Sequence, residues 1–429
     1  MLEKLFKLQQ AGTTIRTDII AGISTFLAMS YIIIINPDLL SMTGMDKGAV
    51  FTATCIAAAI GSLIMGLYAN YPVALAPGMG LNAFFTFGVV KGMGYTWEIA
   101  LGAVFISGVL FLLISLFKLR QWIIESIPMS LRYSIAAGIG FFLALIALKN
   151  VGIVVDHPAT LVSLGNITAI ESLFTLGGLL VIGALAYRGV IGSVMIVMIG
   201  ITVAAFFMGK VDYNGFISMP PSVAPTLLKM DLAGAFDIGM ITVIFAFLFV
   251  DLFDTSGTLI AVSQQGNLLD KDGKLPRLGK AMTADSVATL AGASLGTSNT
   301  TSYIESGVGI AAGGRTGLTA VVTGLLFLLA LFFAPIASMV PAYATAPALL
   351  FVAVLMASSL AKIDWKDITE AIPALVTALM MPLSFSIAEG IALGFICYAV
   401  IKLLSGRFAD MTIGVYIISA VFIAKFLFL

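Results

Sequence analysis

The sequence predicts an all-α polytopic membrane protein of about 14 spans, and two observations carry this prediction. The 429-residue chain is 60% hydrophobic and only 10% charged, whereas a soluble domain carries roughly 25% charged residues. Apolar runs of the roughly 20 residues needed to cross a bilayer recur along its whole length. The lipid bilayer is therefore its expected surroundings. A net charge of zero, with no basic tail, argues against nucleic acid as a partner.

The predicted spans follow one another with short connections. They are 18–36, 49–69, 97–117, 131–148, 171–187, 190–209, 236–253, 318–338 and 344–361, then two within 368–404 divided near Glu389, and a last apolar segment at 411–429. Three further segments are short, rich in small residues and interrupted by polar ones: 73–90, 281–296 and 299–314. The number of spans after residue 365 and the side of the C-terminus stay open.

Positive charge predicts the orientation. With 14 spans and the N-terminus inside, sixteen Lys and Arg residues fall in cytoplasmic segments, Lys118, Arg120, Lys271 and Lys274 among them. Five fall on the opposite side: Lys47, Lys91, Lys149, Lys210 and Lys229. Because cytoplasmic loops carry the excess of Lys and Arg, the N-terminus is predicted to be cytoplasmic in a bacterial inner membrane.

Two interrupted segments stand about half the chain apart. Ala76–Asn82, with Pro77 and two glycines, opens the third span, and the polar run Thr297–Glu305 opens the tenth, about 220 residues later. Seven spans per half would place the second half upside down, an arrangement in which broken helices meet near the midplane and bind substrate. The spacing predicts a 7+7 inverted repeat with short broken segments in spans 3 and 10.

Asp254 comes shortly after the apolar run Phe245–Val250 and is predicted to lie at the far end of the eighth span. A carboxylate at the bilayer centre costs about 2.5–3.5 kcal/mol on insertion scales, so such residues usually face a cavity, a partner or a proton pathway. The alternative is an interfacial carboxylate that caps a helix or pairs with Lys or Arg. Asp251 lies on nearly the same helix face, and the sequence does not decide which of the two orients the other.

Glu305 and Asn82 are the polar candidates on the interrupted segments. Glu305 has no basic residue nearby in sequence before Arg315, so it needs a proton or a hydrogen-bond donor; a structural network with neighbouring serines is the alternative. Asn82 could read a heterocycle edge with one donor and one acceptor, or it could be a packing amide.

The sequence contains no constellation for enzymatic catalysis. Cys55 and Cys397 are far apart in apolar runs, and His157 is the single histidine. These residues predict no metal site and no disulfide. With no visible nucleophile–base pair, neither an enzyme nor a bound cofactor is expected.

Five motifs in order make the chain resemble the AzgA-like purine permeases of the nucleobase transporter superfamily over nearly its whole length. They are Gly12-Thr-Thr14, Leu75-Ala-Pro-Gly-Met-Gly-Leu-Asn-Ala-Phe-Phe85, Leu252-Phe-Asp-Thr-Ser-Gly-Thr-Leu259, Tyr303-Ile-Glu-Ser306 and Gly313-Gly-Arg-Thr-Gly-Leu-Thr319. The Asn82 form of the second motif resembles the guanine/hypoxanthine branch more than the adenine branch.

This resemblance implies proton-coupled uptake of purine bases by a core domain (1–128 and 233–340) that moves against a gate domain (129–232 and 341–429, with the C-terminal segment). It implies substrate binding and proton coupling by Asp254 and Glu305, and substrate binding by Asn82, while Asp251 has a supporting role. Gly80, Thr255 and Ser302 complete the predicted substrate site. A wall from Phe84 or Phe85 and a homodimer are further expectations. An adenine-preferring permease and an anion exchanger of the same architecture remain alternatives.

Overall fold

The computed structural model describes residues 2–117, 127–270 and 275–428 of the chain. Within these ranges the protein is a helical bundle with two pairs of short strands. Lys118, Arg120, Lys271 and Lys274, which contribute to the predicted orientation, lie outside the described residues.

The first half runs from a short N-terminal helix to the helix before the long connection at 208–237. Its elements are α1 (Leu2–Phe6), α2 (Ile15–Met29), α3 (Ile32–Ser41), α4 (Lys47–Ile64, continued by a π-helical turn Met65–Ala69), β1 (Leu75–Pro77), α5 (Met79–Ala83, continued as π-helix over Phe84–Gly92), α6 (Trp97–Leu116), α7 (Met129–Asn150), the hairpin β2 (Val154–His157) and β3 (Leu161–Leu164), α8 (Ile170–Tyr187) and α9 (Ser193–Phe207).

The second half repeats a strand followed by a short helix as its third crossing. Its elements are α10 (Ile238–Gln265), α11 (Leu278–Leu295), β4 (Thr300–Ser302), α12 (Ser306–Ala311), α13 (Gly317–Ala330), α14 (Ala334–Met339), α15 (Ala342–Ala357), α16 (Ile368–Leu383), α17 (Ile387–Leu404) and α18 (Ile413–Phe428).

Nine helices among the described residues are long and apolar enough to cross a membrane. The remaining predicted crossings are shorter, interrupted or less apolar: 75–92, 193–207, 278–295, 300–311 and 368–383. The prediction of an all-α polytopic membrane protein is confirmed, with α18 following as an additional apolar helix.

The helices pack in two groups. Helices α2–α4, α6 and α10–α13 contact one another, and helices α7–α9 and α15–α18 form a second packed set. Contacts between the groups run through α10 with α7 and α17, α5 with α7, α2 with α9, and α3 with α15. One such contact is at Gly80, where a Cβ would lie 2.4 Å from Cγ2 of Ile139.

The two interrupted segments meet, as their spacing predicts. Strands β1 and β4 pair antiparallel, with Ala76 opposite Thr301 and Pro77 opposite Thr300. Every residue of both strands is buried. Two strands from opposite halves can satisfy each other's backbone groups where water is absent, which is what irregular backbone at membrane depth requires.

The third segment that is short, rich in small residues and interrupted by polar ones, 281–296, is not broken in the structure. Residues Leu278–Leu295 form one continuous helix. Its contacts with neighbouring helices are close: a Cβ on Gly61 of α4 would lie 2.9 Å from the Cβ of Ala288, and a Cβ on Gly108 of α6 would lie 3.1 Å from both Thr289 and Leu290. Small residues therefore mark a tight helix contact here, not a break.

Two boundaries also differ from the prediction. The first crossing, predicted as 18–36, is divided at Ser30 and Tyr31 into α2 and α3. The pair of spans in 368–404 is divided at 384–386 rather than near Glu389, because Ser386 caps α17 by accepting a hydrogen bond from the Glu389 amide. Glu389 thus lies in the first turn of a helix, where a negative charge suits the dipole.

Candidate functional site

The strand pair is held by additional bonds on both sides. The Gly78 amide donates to the Asn299 carbonyl at 2.9 Å, and the Tyr303 amide donates to the Ala74 carbonyl at 3.0 Å. The Tyr303 hydroxyl donates to the Pro77 carbonyl at 2.6 Å. Proline has no N–H to donate to the paired strand, so the bond from Tyr303 to its carbonyl gives Pro77 an additional contact with the second segment. The site is built around this bonded strand pair.

Asp254 lies in the middle of the 28-residue helix α10, not at its far end as predicted. The helix continues because Thr255–Gln265 keeps an apolar face against the core after the polar residues. The Asp254 side chain is exposed, and at Gly257, one turn on, no atom lies within 4 Å of where a Cβ would be. Asp254 therefore lies at an accessible surface in the middle of the helix.

Asp251 points elsewhere, although it is only three residues away. It is 1% exposed, and its Oδ2 accepts hydrogen bonds from the Thr289 hydroxyl at 3.0 Å and from the Asn299 amide at 2.9 Å. The Thr289 hydroxyl in turn accepts a hydrogen bond from the Thr300 amide at 3.2 Å. Asp251 thus ties α10 to α11 and to the strand crossing, and its supporting role stays a prediction.

Asp285 is a further buried carboxylate that the sequence reasoning did not find. It lies on α11, is fully buried, and accepts a hydrogen bond from the Ser302 hydroxyl at 3.0 Å. Asp285 also interacts electrostatically with Asp251 and Asp254. The sequence reasoning missed Asp285 because the segment 281–296 is rich in small and polar residues, among which one Asp does not stand out. The available signal was a carboxylate next to Ala284 in a segment long enough to form a helix.

Glu305 lies at the start of α12 and is half-buried. Its Oε1 accepts a hydrogen bond from the Tyr31 hydroxyl, which reaches it from the junction of α2 and α3. Glu305 and Asp254 are close enough to interact electrostatically, and Tyr303 interacts with both. The structure therefore brings the two predicted proton-coupling carboxylates together.

The other predicted substrate residues lie around this pair with different accessibility. Asn82 is fully buried, and neither polar atom of its side-chain amide has a hydrogen-bond partner within the described chain. The Thr255 hydroxyl is 2.8 Å from that of Thr301, so it fastens α10 to β4. Ser302 is engaged by Asp285. Gly80 lies against Ile139, at the contact between the two helix groups.

Phe84 and Phe85, the expected aromatic wall, are both fully buried, and Phe84 packs on Phe247 with ring centroids 5.1 Å apart. Phe253, next to Asp254 in the chain, is a further aromatic candidate. Phe253 is half-buried and stacks on Phe249 at 6.2 Å. The guanidinium of Arg132, from α7, lies 6.0 Å from the Phe253 ring centroid.

A cavity of about 540 Å³ begins beside the site, at Ile304. It is lined by the connection between α8 and α9 and by the ends of α10 and α12: Gly189, Ile191, Gln265, Ile304, Gly307, Val308, Ala311 and Ala312. This volume lies within the range of small-molecule sites. Its lining includes Ile304, the residue before Glu305, and Gly307, two residues after it.

Charge compensation is missing at this site. Asp251, Asp254, Asp285 and Glu305 have no salt bridge to Lys or Arg in the described residues, where the ion pairs all lie elsewhere. Buried carboxylates normally need a cation, hydrogen-bond donors or a proton. Hydroxyl and amide donors supply part of this requirement, which leaves room for a proton or a ligand donor.

Comparison with known proteins decides the family. A model of the Permease family, Xan_ur_permease, matches residues 16–393. The chain belongs to this family. It is 51% identical to adenine permease AdeP of Escherichia coli (strain K12) over 429 residues, all of this chain and 96% of the relative. It is 46% identical to guanine/hypoxanthine permease PbuG of Bacillus subtilis (strain 168), with 100% of both chains covered.

Solved structures extend the comparison at the level of fold. The transmembrane domain of the cyanobacterial bicarbonate transporter BicA is similar with a TM-score of 0.67 at 15% identity, covering 88% of this chain and 97% of that chain. SLC26A9 is similar with a TM-score of 0.66 at 12% identity, covering 91% of this chain and 66% of that chain. At such low identity these likenesses show the shared core-and-gate transporter fold and nothing about substrate.

The expected resemblance to the nucleobase permeases is confirmed. The narrower expectation of the guanine/hypoxanthine branch is not resolved, because relatives named for adenine and for guanine or hypoxanthine both cover the whole chain. The chain is a multi-pass membrane permease, and the relatives are transporters rather than enzymes.

Proposed function

We propose that this permease imports purine nucleobases together with protons. The observation that carries the proposal is Asp254: an exposed carboxylate at the middle of a spanning helix, without a salt bridge in the described residues and electrostatically coupled to Glu305. An ionisable group at such a depth is functional by default. The full-length similarity to purine permeases supports a purine as the substrate.

A purine base suits this set of polar groups. Its ring edges present both donors and acceptors, which carboxylates, their protonated forms and a side-chain amide can match. Asp254 is exposed and Glu305 is half-buried, so a ligand can reach both carboxylates. Asn82 retains hydrogen-bonding capacity because its side-chain amide has no partner among the described residues. Phe253 offers an aromatic face beside Asp254.

Proton coupling would follow from the uncompensated charge. In the proposed cycle a proton from the outer side neutralises Asp254, a neutral purine binds at the strand crossing, and both leave on the inner side. Coupling requires that the proton and the purine each favour the other's bound state, and linkage makes this effect reciprocal. Because no Lys or Arg of the described residues forms a salt bridge with Asp254 or Glu305, a proton is the simplest way to neutralise these carboxylates.

The transport step would be a movement of the core (1–128 and 233–340) against the gate (129–232 and 341–429). The few contacts between the two helix groups, such as that of Gly80 with Ile139, would change during this movement. The protein would lie in a bacterial inner membrane with its N-terminus in the cytoplasm, and the cavity at Ile304 would then be the inner exit.

A homodimer remains a prediction. On α8 of the gate, Gly177 and Gly183 are exposed, and no atom lies within 4 Å of the position that a Cβ would take at either residue. Small residues on an outward face let a neighbouring helix approach closely, so this face suits either lipid or a second copy.

The test is uptake of radiolabelled adenine, guanine and hypoxanthine by cells that lack their own purine permeases and express this protein. Saturable uptake that collapses when a protonophore dissipates the proton gradient is expected. The ranking among the three bases separates the adenine and guanine/hypoxanthine alternatives. Uptake of sulfate or bicarbonate in place of purines would support the anion exchanger and refute the proposal.

A further inference from the structure

Tyr31 is a polar side chain at the break in the first crossing. Helix α2 ends at Met29 and α3 begins at Ile32, with Ser30 and Tyr31 between them. Tyr31 is only 2% exposed. A buried tyrosine hydroxyl normally has a hydrogen-bond partner, and here the partner is the Oε1 atom of Glu305, 274 residues away in sequence.

The contact between α2 and α12 fixes the two residues relative to each other. Gly309 of α12 lies so close to α2 that a Cβ on it would be 2.1 Å from the Thr25 hydroxyl and 2.6 Å from the Ala21 carbonyl. Two backbones that touch in this way leave little freedom between the helices. Tyr31 therefore reaches Glu305 from a rigid support and not from a mobile loop.

The neighbouring tyrosine cannot replace this donor. The single hydroxyl proton of Tyr303 is already committed to the Pro77 carbonyl at 2.6 Å. The titratable groups that face Glu305 are Tyr31 from the α2–α3 junction, Asp254 from α10 and Tyr303 from its own segment. Among these, Tyr31 alone donates a hydrogen bond to Glu305.

We propose that Tyr31 is a positioning residue for purine recognition. By holding Oε1 of Glu305, it fixes the plane of the carboxyl group and leaves Oε2 as the oxygen that meets the substrate. This inference rests on the proposed purine transport and adds a residue of the first crossing to a site otherwise built from the third, eighth and tenth. Its role is exerted through Glu305, without contact with the base.

The test compares Tyr31→Phe with a matched control, Tyr343→Phe. The Tyr343 hydroxyl is buried without a hydrogen-bond partner within the described residues, so its removal costs no protein hydrogen bond. Uptake of labelled adenine and hypoxanthine is measured at equal surface expression. Tyr31→Phe is expected to raise KM about tenfold, the equivalent of one hydrogen bond to a charged group, without changing the maximal rate, and Tyr343→Phe to behave as wild type.

A double-mutant cycle shows whether Tyr31 acts through Glu305. Binding of the same bases to the purified proteins is measured for Tyr31→Phe, Glu305→Gln and the double variant. Loss of the Tyr31 effect in the Glu305→Gln background is expected, since residues in direct contact are coupled. Equal effects in both backgrounds would overturn the inference, as would wild-type KM in Tyr31→Phe.

These outcomes are separable from failure of the proposed function. If wild-type cells take up purines and Tyr31→Phe matches them, only the inference on Tyr31 fails. If wild-type cells take up no purine, the proposed function fails and the inference with it.

Discussion

Two regions of this protein handle buried charge in opposite ways. In the gate, Lys402 has a fully buried side chain whose Nζ lies 2.6 Å from Glu370 and 3.3 Å from Asp410. It also donates to the Thr369 hydroxyl at 2.9 Å and lies 5.2 Å from the ring centroid of Tyr398. At the strand crossing, three of the four carboxylates accept hydrogen bonds from hydroxyl or amide donors, and none of the four has a Lys or Arg partner in the described residues.

The rest of the gate cluster is equally complete. The Glu370 carboxylate accepts hydrogen bonds from Ser130 at 2.5 Å and from Tyr398 at 3.1 Å. Arg407 pairs with Asp367 at 2.6 Å and with Asp410 at 2.7 Å. These bonds join α7, α16 and α17 to the start of the C-terminal segment. A charge cluster with every member satisfied fixes an arrangement of helices.

The difference distinguishes a structural use of charge from a functional one. Removing one member of a compensated buried cluster leaves the others unpaired and destabilises the fold. Removing the charge of a carboxylate that has no salt-bridge partner leaves no cation unpaired. Such a substitution should therefore alter binding or transport and not the stability of the fold. Neutral isosteric substitutions therefore separate the two regions experimentally.

The largest expected effect is at the crossing. Asp254→Asn and Glu305→Gln should each lower purine uptake by about tenfold to a hundredfold, because a hydrogen bond to a charged group contributes roughly 1.5–3 kcal/mol and the proposed proton site is lost as well. Their thermal unfolding midpoints should equal that of the wild type. The measurement is initial uptake rate at matched surface expression, with unfolding followed on the purified proteins.

Asp231→Asn is a suitable control for this pair. Asp231 is exposed, and its carboxylate caps a loop turn by accepting from the Gly234 amide at 2.9 Å, remote from the crossing. Wild-type uptake in either Asp254→Asn or Glu305→Gln would remove that residue from the site. A strongly lowered unfolding midpoint would instead assign it a structural role.

An intermediate effect, on stability, is expected in the gate. Lys402→Met should destabilise the protein by about 1–3 kcal/mol, less than the 3–5 kcal/mol of a fully buried pair, because Glu370 and Asp410 are 22% and 38% exposed. Thermal unfolding of the purified protein measures this loss.

Adding Glu370→Gln to Lys402→Met should recover part of the stability, because the unpaired carboxylate is then neutral as well. Failure of the second substitution to recover any stability would show that packing of the lysine stem, and not charge compensation, holds the cluster.

The sequence predicted those parts of the site that have a local signature. Asp254 interrupts an apolar span, Glu305 ends a polar run without a basic residue nearby, and Pro77 with its glycines marks a broken helix, so insertion cost and backbone chemistry identified them. The same reasoning gave the pairing of the two interrupted segments, because half the chain separates them. These are properties of a residue and its neighbours along the chain.

What the sequence could not give is contact between distant elements. Tyr31 and Glu305 are 274 residues apart, and the residues around Tyr31 give no indication that its hydroxyl binds Glu305. Asp285 was hidden because small residues occur both in broken segments and in tightly packed helices, and only the contact of α11 with α6 decides between them. Helix direction likewise separates Asp251 from Asp254, since residues three apart point about 60° away from each other at 3.6 residues per turn.

The smallest expected effect tests the exposed edge of the gate cluster. Hydrogen bonding from the Thr369 hydroxyl and from Arg407 lowers the pKa of Asp367 to about 2. Because this pKa lies below the unfolded value of about 3.9, Asp367 contributes stability that is complete above that value and is lost as the pH falls towards 2. The pair is partly exposed, so its contribution should stay below about 1 kcal/mol.

Asp367→Asn should therefore lower the unfolding midpoint by a small, constant amount between pH 5 and 8, measured on the purified protein, and the difference from the wild type should shrink below about pH 4. Asp364→Asn removes a nearby carboxylate that accepts only from the Lys366 amide among described contacts, and it should not reproduce this pH dependence. A deficit for Asp367→Asn as large as that of Lys402→Met would contradict the distinction between the buried centre of the cluster and its exposed edge. A small deficit would locate the stabilising charge at Lys402, the one cation that the gate buries completely among the described residues.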